Sequence, residues 1–283
     1  MTIHQAILYG EDLLSESGVE QPRWNAERLL ILALKQPRSK IYAELNRELN
    51  SSEFQAFQEL LKKRAEHYPL AYIEGTQDFF GRSFFVNEDV LIPRPETEEI
   101  VQVVLSVPLP EKPSILDLGS GSGNIAVTLA LEIPGSSVVA LEISKPALEV
   151  LRKNSKGRVP AVCGNFVSPP FLDRSFDVIT ANLPYVEHSD FRNLPAETAW
   201  EPRIALVADS LESTYQFVLK TSGRLLKPGG YLVFEIGYGQ EERIKSVCSR
   251  QKVVSLLTIR KDQHSIPRVF VLRKLQDHSH PST

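Results

Sequence analysis

An acid followed by alternating glycines occupies the stretch SILDLGSGSGNIAVTLA, residues 114–130. An apolar run typical of a buried strand precedes the glycines, and an apolar-periodic helix pattern follows them. Glycine accepts positive φ angles and lets a ligand approach the backbone closely. The strand, turn and helix therefore predict a ligand-binding turn. Its candidate binding residues are Asp117, Gly119, Ser120, Gly121, Ser122 and Gly123.

The spacing of these glycines distinguishes between two kinds of ligand. Sites for NAD favour G-x-G-x-x-G, with the third glycine one residue later. This chain has D-x-G-x-G-x-G, which resembles class I S-adenosylmethionine (SAM) methyltransferases. Glu142 ends the next predicted strand about 20 residues on, the distance at which an acid meets a ribose hydroxyl. An ordinary glycine-rich turn is the alternative, and the acids on both sides of the turn count against it.

A polar tetrapeptide, Asn182-Leu183-Pro184-Tyr185, follows another predicted strand at residues 176–181. Ligands of open α/β sheets bind beyond the carboxyl ends of the strands, so we expect the tetrapeptide to face the ligand of the glycine turn. It resembles the Asn-Pro-Pro-Tyr motif of methyltransferases that modify a planar nitrogen in adenine, guanine or a glutamine amide. Leu183 replaces the usual proline, which keeps a backbone carbonyl but loses the fixed φ angle.

The chemistry of a carboxamide accounts for these residue types. Its nitrogen is a poor nucleophile because the lone pair is delocalised into the carbonyl group. Two acceptors, the side-chain oxygen of Asn182 and the backbone carbonyl of Leu183, can bind its N–H groups and orient the nitrogen for in-line methyl transfer. The ring of Tyr185 can pack against the amide plane. A strand-end turn that happens to contain proline is the alternative interpretation.

A third candidate lies in Cys163-Gly164-Asn165-Phe166, after the third predicted strand of the sheet. In class I methyltransferases, which the glycine turn resembles, the corresponding turn borders the adenine ring of the cofactor. Asn165 can accept a hydrogen bond from the adenine amino group, where related enzymes often carry aspartate. Phe166 can lie against the purine face. The alternative is a loop with one buried aromatic residue.

The motifs are separated by alternating strand and helix patterns from about residue 100 onward. The pattern predicts a parallel, doubly wound α/β sheet. The last two strands have too little sequence between them for a helical crossover, so we expect them to pair antiparallel. The predicted strands cover residues 115–118, 138–142, 159–163, 177–181, 231–236, 253–258 and 269–273.

Residues 1–75 carry helical apolar stripes and predict a small bundle for recognition or support. Its last long helix is predicted to begin with a capping box of Ser52 and Gln55. Paired phenylalanines on either side of Gly81-Arg82-Ser83 then predict a β-hairpin. Two prolines around Arg94 form either a rigid platform beside the site or an ordinary linker. The bundle helices are predicted near residues 3–14, 22–34, 41–45 and 52–65.

The composition of the chain indicates a soluble protein and argues against several classes of partner and site. The chain has 283 residues with 42% hydrophobic and 24% charged residues, which is the balance of a soluble globular protein. Its net charge of −3 indicates no general affinity for nucleic acid. Cys163 and Cys248 are far apart, so we expect neither a disulfide framework nor a metal site. The chain shows no membrane-spanning run and no signal-peptide pattern at its start, which favours a cytoplasmic protein without a membrane partner.

Taken together, the motifs resemble the peptide chain release factor glutamine methyltransferases, the PrmC/HemK family. The resemblance covers nearly all of the chain. It implies a Rossmann-like class I methyltransferase sheet in a domain over residues 96–283, a helical domain for substrate recognition over residues 1–75, and a β-hairpin connector over residues 76–95. The matching stretches are SGVEQPRWNAERLL, PLAYIEGTQDFFG, VLIPRPETEE, ILDLGSGSGNIAVTLA, ANLPYV, EPRIALVADS and LLKPGGYLVFEIGYGQ.

The resemblance implies methyl transfer from SAM to the glutamine side-chain amide in the Gly-Gly-Gln loop of class-1 release factors, with S-adenosylhomocysteine as the other product. It places the glycine turn, Glu142 and Phe166 on the cofactor, and residues 182–185 on the glutamine, with Asn182 close to both. Three alternatives stay open: a ribosomal protein substrate, a nucleic-acid base substrate, and a degenerate enzyme kept as a binding partner. The stretch LIPRPETEE counts against a ribosomal protein substrate. The negative net charge counts against a nucleic-acid substrate, and the intact glycine turn counts against a degenerate enzyme.

Overall fold

A computed structural model of the chain describes residues 1–276, which form two compact units. The first unit contains Met1–Gly75 together with the short segment Pro195–Trp200. The second contains Thr76–Leu194 and the described residues from Glu201 onward. The chain therefore crosses three times between the units. Residues 277–283 of the predicted methyltransferase domain lie outside the described residues.

The first unit is a bundle of helices around a core that includes Phe57 and Leu61, both fully buried. Its third helix begins after Pro37 and ends at Ala43, so the prediction of residues 41–45 was displaced toward the C-terminus. The helices are α1 Ile3–Glu16, α2 Pro22–Leu34, α3 Arg38–Ala43, α4 Ser51–Ala65 and α5 Leu70–Glu74.

The predicted capping box of helix α4 was wrong by two residues. Asn50 is the N-cap: its Oδ1 accepts from the Glu53 amide at 2.9 Å, and the Glu53 carboxylate accepts from the Asn50 amide at 3.0 Å. Asparagine caps a helix as well as serine does. The Ser52 hydroxyl instead donates to Asn50 Oδ1 at 2.7 Å and supports that cap.

The segment Pro195–Trp200 packs within the helical unit through Arg64. This arginine is buried, donates from Nε to Asn25 Oδ1 at 2.7 Å, and pairs with the Glu197 carboxylate. The ring of Tyr68 meets Trp200 edge-on, with 5.1 Å between ring centroids. A buried guanidinium needs such partners, so these contacts hold the segment in place.

The second unit begins with a two-stranded hairpin of β1 Thr76–Phe79 and β2 Arg82–Phe85. Its turn is Phe80-Gly81, and both residues have positive φ, which matches the twist of a tight hairpin. Arg82 and Ser83, predicted as turn residues, belong to β2 because this turn needs only two residues. Asn154 fixes the hairpin by exchanging hydrogen bonds of 2.8 and 2.9 Å with the Phe85 backbone.

A seven-stranded sheet forms the centre of the second unit, with the order β5-β4-β3-β6-β7-β9-β8. Its first five strands are parallel, and β9 pairs antiparallel with both β7 and β8. This arrangement confirms the predicted fold class and the antiparallel pairing of the last two strands. The strands are β3 Ser114–Leu118, β4 Ser137–Glu142, β5 Ala161–Cys163, β6 Phe176–Ala181, β7 Leu226–Glu235, β8 Val254–Lys261 and β9 Pro267–Lys274.

Helices surround this sheet, and the strand order reverses beside β3. The chain runs from β3 to β4 on one side, whereas β6 pairs with β3 on the other. Such a switch point leaves a crevice at the carboxyl ends of the strands. In residues 1–276, no helix is apolar over a length sufficient to traverse a bilayer. The helices are α6 Glu98–Ser106, α7 Asn124–Glu132, α8 Lys145–Ser155, α9 Arg203–Leu206, α10 Leu211–Leu225 and α11 Glu241–Ser249.

Candidate active site

A cavity of about 480 Å³ lies where β3, β4 and β6 end, within the size range of small-molecule sites. It brings the glycine turn, the acid after β4 and the start of the tetrapeptide together. The predicted site residues that line it are Gly119, Ser120, Gly121, Ser122, Glu142, Asn165, Phe166, Asn182, Leu183 and Pro184. The predicted site residues outside its lining are Asp117, Gly123 and Tyr185.

The glycine turn is held against β4 and is open toward the cavity. The amides of Gly119 and Ser120 donate to the Leu141 carbonyl at 2.8 and 3.2 Å. Gly121 has a φ of +51°, and a Cβ added there would meet no atom within 4 Å. Gly123 instead faces the protein interior, where a Cβ would lie 2.9 Å from Leu151. The turn therefore gives a ligand direct access to the backbone at Gly121.

Glu142, at the end of β4, binds the backbone of the glycine turn through its side chain. Its Oε2 accepts from the Gly121 amide at 2.8 Å, and its Oε1 accepts from the Ser144 amide at 2.8 Å. The side chain is buried but lines the cavity. Each carboxylate oxygen has more than one lone pair, so Glu142 can accept ligand hydroxyls as well as these amides.

Asp117 lies beneath the turn and is fully buried. Its Oδ1 accepts from the Thr180 hydroxyl at 2.7 Å, whereas its Oδ2 has no hydrogen-bond partner among the described residues. Burial disfavours the charged form and raises the pKa of this carboxyl group to about 7. The Ser120 hydroxyl donates to the Asp117 carbonyl at 2.9 Å. Asp117 thus supports the turn from the inside, and its role toward a cofactor stays a prediction.

Asn165 and Phe166 line the far end of the cavity from the loop after β5. Asn165 is exposed, and its Oδ1 accepts from the Val167 amide at 2.8 Å. The predicted acceptor of the adenine amino group therefore also shapes its own loop. Phe166 is half-buried, and its carbonyl accepts from the Thr221 hydroxyl at 3.0 Å. These bonds fix the loop on which both side chains lie.

The side-chain amide of Asn182 has a defined direction. Its Nδ2 donates to Thr97 Oγ1 at 3.0 Å, and the Thr97 hydroxyl donates to Glu235 Oε2 at 2.7 Å. The network assigns the NH₂ group to Thr97, so Oδ1 is the group that Asn182 can offer to a ligand as an acceptor. Asn182 and Thr97 both line the cavity.

Tyr185 is anchored at both ends. Its hydroxyl donates to Glu235 Oε1 at 3.2 Å, and its carbonyl accepts from Gln240 Nε2 at 2.7 Å. Burial and the neighbouring Glu235 carboxylate raise the pKa of the Tyr185 hydroxyl well above its ordinary value. The ring packs beside the sheet core. Its predicted packing against a substrate amide stays a prediction.

Several residues that line the cavity were not among the predicted binding or catalytic residues. Thr97 and Arg94 come from LIPRPETEE, and a second wall comes from EPRIALVADS. Glu201 joins the two stretches, because its Oε2 accepts from the Ile92 amide at 3.0 Å and its carboxylate pairs with Arg94. The sequence did contain a signal for a site role of Glu235. This residue ends β7, which pairs with β6, so it lies at the same edge of the sheet as Asn182. The cavity-lining residues of the second wall include Pro202, Ile204, Ala205, Val207 and Ala208.

Comparisons with known proteins agree with this architecture. Residues 5–75 match the family model of the PrmC N-terminal domain, and residues 115–200 match that of a methyltransferase domain. The release factor glutamine methyltransferase of Geobacter sulfurreducens is 37% identical over 274 residues, which are 95% of this chain and 95% of that protein. That of Moorella thermoacetica is 38% identical over 256 residues, covering 88% of this chain and 90% of that protein.

A bifunctional methyltransferase of Rickettsia typhi is 35% identical over 270 residues, which are 86% of this chain but 52% of that protein. The chain thus spans about half the length of the bifunctional relatives that it matches. The Geobacter and Moorella proteins, by contrast, align along most of their length. That extent of identity shows that the chain belongs to the release factor glutamine methyltransferase family.

Proposed function

We propose that the chain methylates the side-chain amide of the glutamine in the Gly-Gly-Gln loop of class-1 peptide chain release factors, with SAM as methyl donor. One observation carries the proposal: the open glycine turn lines the same cavity as Asn182, whose Oδ1 is left as an acceptor by the bond from Nδ2 to Thr97. The family of the chain supports the same reaction and the same class of substrate.

The cavity suits SAM in size and in chemistry. Gly121 leaves room for close approach, Glu142 offers carboxylate oxygens to ribose hydroxyls, and Phe166 offers an aromatic face to adenine. Asn165 lies beside Phe166 and completes that end of the site. When bound, SAM supplies an electrophilic methyl group on a sulfonium. The glycine turn and Glu142 would therefore hold the donor, and the tetrapeptide would hold the acceptor.

The tetrapeptide would orient the glutamine amide by accepting its two N–H groups. Asn182 Oδ1 is one acceptor and the backbone carbonyl of Leu183 is the other. Both groups come from the end of β6, a rigid central strand, so the amide nitrogen is held in one direction. Orientation of this kind supplies much of the catalysis when the nucleophile is weak. The amide proton can leave to solvent after methylation, so no strong base is required.

The proposal also assigns a role to each part of the chain. Residues 1–75 would recognise the release factor, residues 76–95 would connect the two domains, and residues 96–283 would carry the methyltransferase site. The match of residues 5–75 to a family-specific N-terminal domain supports a role in recognition, because the methyltransferase sheet alone is shared much more widely.

Mass spectrometry of a digested release factor, after incubation with enzyme and SAM, tests this function. We expect one added methyl group on the Gly-Gly-Gln glutamine. Asn182→Ala removes one of the two acceptors and is expected to lower kcat by about 10²–10³. SAM affinity by calorimetry should change by less than about threefold, since the lost group mainly serves the glutamine. Normal turnover by Asn182→Ala would refute the orienting mechanism, and an unmodified release factor with wild-type enzyme would refute the function.

A further inference from the structure

Glu235 is a buried carboxyl group that the proposed chemistry does not use. It lies at the end of β7 with 2% of its surface exposed. Its two oxygens accept from different parts of the site: Oε2 from the Thr97 hydroxyl at 2.7 Å and Oε1 from the Tyr185 hydroxyl at 3.2 Å. Its backbone carbonyl accepts from the Tyr215 hydroxyl at 3.0 Å, which fixes the end of the strand.

We propose that Glu235 is a positioning residue, which fixes the direction of the Asn182 amide through Thr97 and holds Tyr185 directly. The first and last residues of the tetrapeptide would then depend on one carboxyl group. This inference rests on the proposed function, because it concerns how the glutamine amide is oriented. Glu235 itself would not touch the substrate.

The direction of the hydrogen bonds carries the inference. The hydroxyl of Thr97 has one proton, and Glu235 accepts it at 2.7 Å. The Thr97 oxygen must therefore accept from Asn182, which commits the NH₂ group of Asn182 to Thr97 and leaves Oδ1 as its free acceptor. Without an acceptor at Glu235, the Thr97 proton could point to Asn182 instead. The Asn182 amide would then rotate and present its own NH₂ to the N–H groups of glutamine.

Tyr185 is the second part of the network. The bond from its hydroxyl to Glu235 and the bond from Gln240 to its carbonyl fix the residue at two points. Gln240 is itself held, since its Oε1 accepts from the Gly237 amide at 2.9 Å. Leu183, whose carbonyl is the second proposed acceptor, lies between two residues that Glu235 positions. Fixing the residues on both sides of Leu183 in this way gives the tetrapeptide one geometry rather than several.

Kinetics of Thr97→Val and Thr97→Ser on a release factor test the inference in the full-length protein. Thr97→Val keeps the shape but removes the hydroxyl, and we expect kcat to fall by about 10- to 100-fold with SAM affinity unchanged within about twofold. Thr97→Ser keeps the hydroxyl and is expected to retain kcat within about threefold. In an Asn182→Ala background, Thr97→Val should lower kcat by less than about twofold further, because it acts through Asn182.

Full activity of Thr97→Val would overturn the inference, as would an equal loss of kcat in the Asn182→Ala background. If Thr97→Val does not fold, Glu235→Leu and Glu235→Gln give the same comparison. Glutamine can still accept from Thr97, whereas leucine cannot, so we expect Glu235→Leu to be the slower of the two by about tenfold or more. Equal rates would overturn the inference. Failure of the proposed function is a distinct result, because wild-type enzyme would then leave the release factor unmethylated.

Discussion

The Cδ2 atom of Leu183 lies 2.5 Å from the point that a Cβ on Gly119 would occupy. Gly119 has a φ of +66°, and Leu183 is buried in the hydrophobic cluster beneath the site. The leucine that replaces the usual proline thus fills space directly against the glycine turn. Its side chain joins the tetrapeptide to the glycine turn, which its sequence position alone did not indicate.

Gly119→Ala should be destabilising for two separable reasons. The new methyl group would collide with Leu183, and alanine is strained at positive φ. Leu183→Ala on its own is expected to lower the free energy of unfolding by about 2–5 kcal/mol, as for other buried leucines. In the double variant the collision disappears, so the loss should be smaller than the sum of the two single losses by about 0.5–3 kcal/mol. Urea denaturation of the four proteins measures this, and simple additivity would contradict the packing relationship.

Gly121→Asp should abolish tight binding of SAM without unfolding the protein. The side chain would enter the open space at the turn, beside the Glu142 carboxylate that already accepts from the Gly121 amide. We expect the Kd for SAM to rise by more than about tenfold. Gly157→Asp is a matched control, because Gly157 also has positive φ with nothing within 4 Å of an added Cβ, and it is not part of the cavity lining in the described residues.

Calorimetry on both aspartate variants separates ligand binding from backbone strain. Both should lose similar stability because both place a side chain at positive φ. SAM affinity should fall in Gly121→Asp alone. Equal SAM affinities in the two variants would show that the turn at Gly121 does not approach the ligand.

Glu235 should make stability depend on pH. Burial raises the pKa of this carboxyl group from an ordinary value of 4.5 to about 7, with the Thr97 and Tyr185 hydrogen bonds and the positive charge of Arg268 opposing the shift and Glu96 adding to it. The folded protein therefore binds this proton more tightly than the unfolded chain does, and a proton on Oε1 would leave Oε2 as the acceptor for Thr97. Its contribution to stability is fully present below about pH 4.5 and is lost as the pH rises through about 7.

Comparing the stability of the wild type with that of Glu235→Gln isolates the contribution of the Glu235 proton. The other buried carboxyl group with a raised pKa, Asp117, is present in both proteins, so its contribution cancels. The wild-type free energy of unfolding, relative to that of Glu235→Gln, should be greater at pH 5 than at pH 8, by up to about 3 kcal/mol. Urea denaturation at the two pH values measures it. A difference that is constant or larger at pH 8 would mean that Glu235 is already ionised in the folded protein below pH 5.

Local patterns were sufficient to predict the fold and the two sides of the cavity. The strand, glycine turn and helix around Gly121, and the strand end before Asn182, each lie in one short stretch whose periodicity is visible. The topology of parallel strands then places both stretches at one edge of the sheet. Thr97 and Glu235 were missed because their hydrogen bonds join residues that are 85 and 138 positions apart in the chain. A single sequence has no periodic signal for such pairs.

The misplaced capping box has a similar cause. Two overlapping boxes fit the sequence at the start of α4, and both have a cap residue and an acid or amide three positions later. Arg47, outside the motif, decides between them, because it pairs with Glu53 at 3.0 Å and holds that carboxylate at the helix start. A partner outside the motif, such as Arg47, explains why the boundary of α4 was predicted less well than the helix itself.

The segment Pro195–Trp200 has a consequence for how these proteins can be recombined. It belongs to the helical unit although it lies within the sequence of the other unit. A chimera that exchanges only residues 1–75 between two relatives would combine Arg64 from one parent with Glu197 from the other. A chimera that keeps this ion pair between residues of one parent therefore has to take both stretches from that parent.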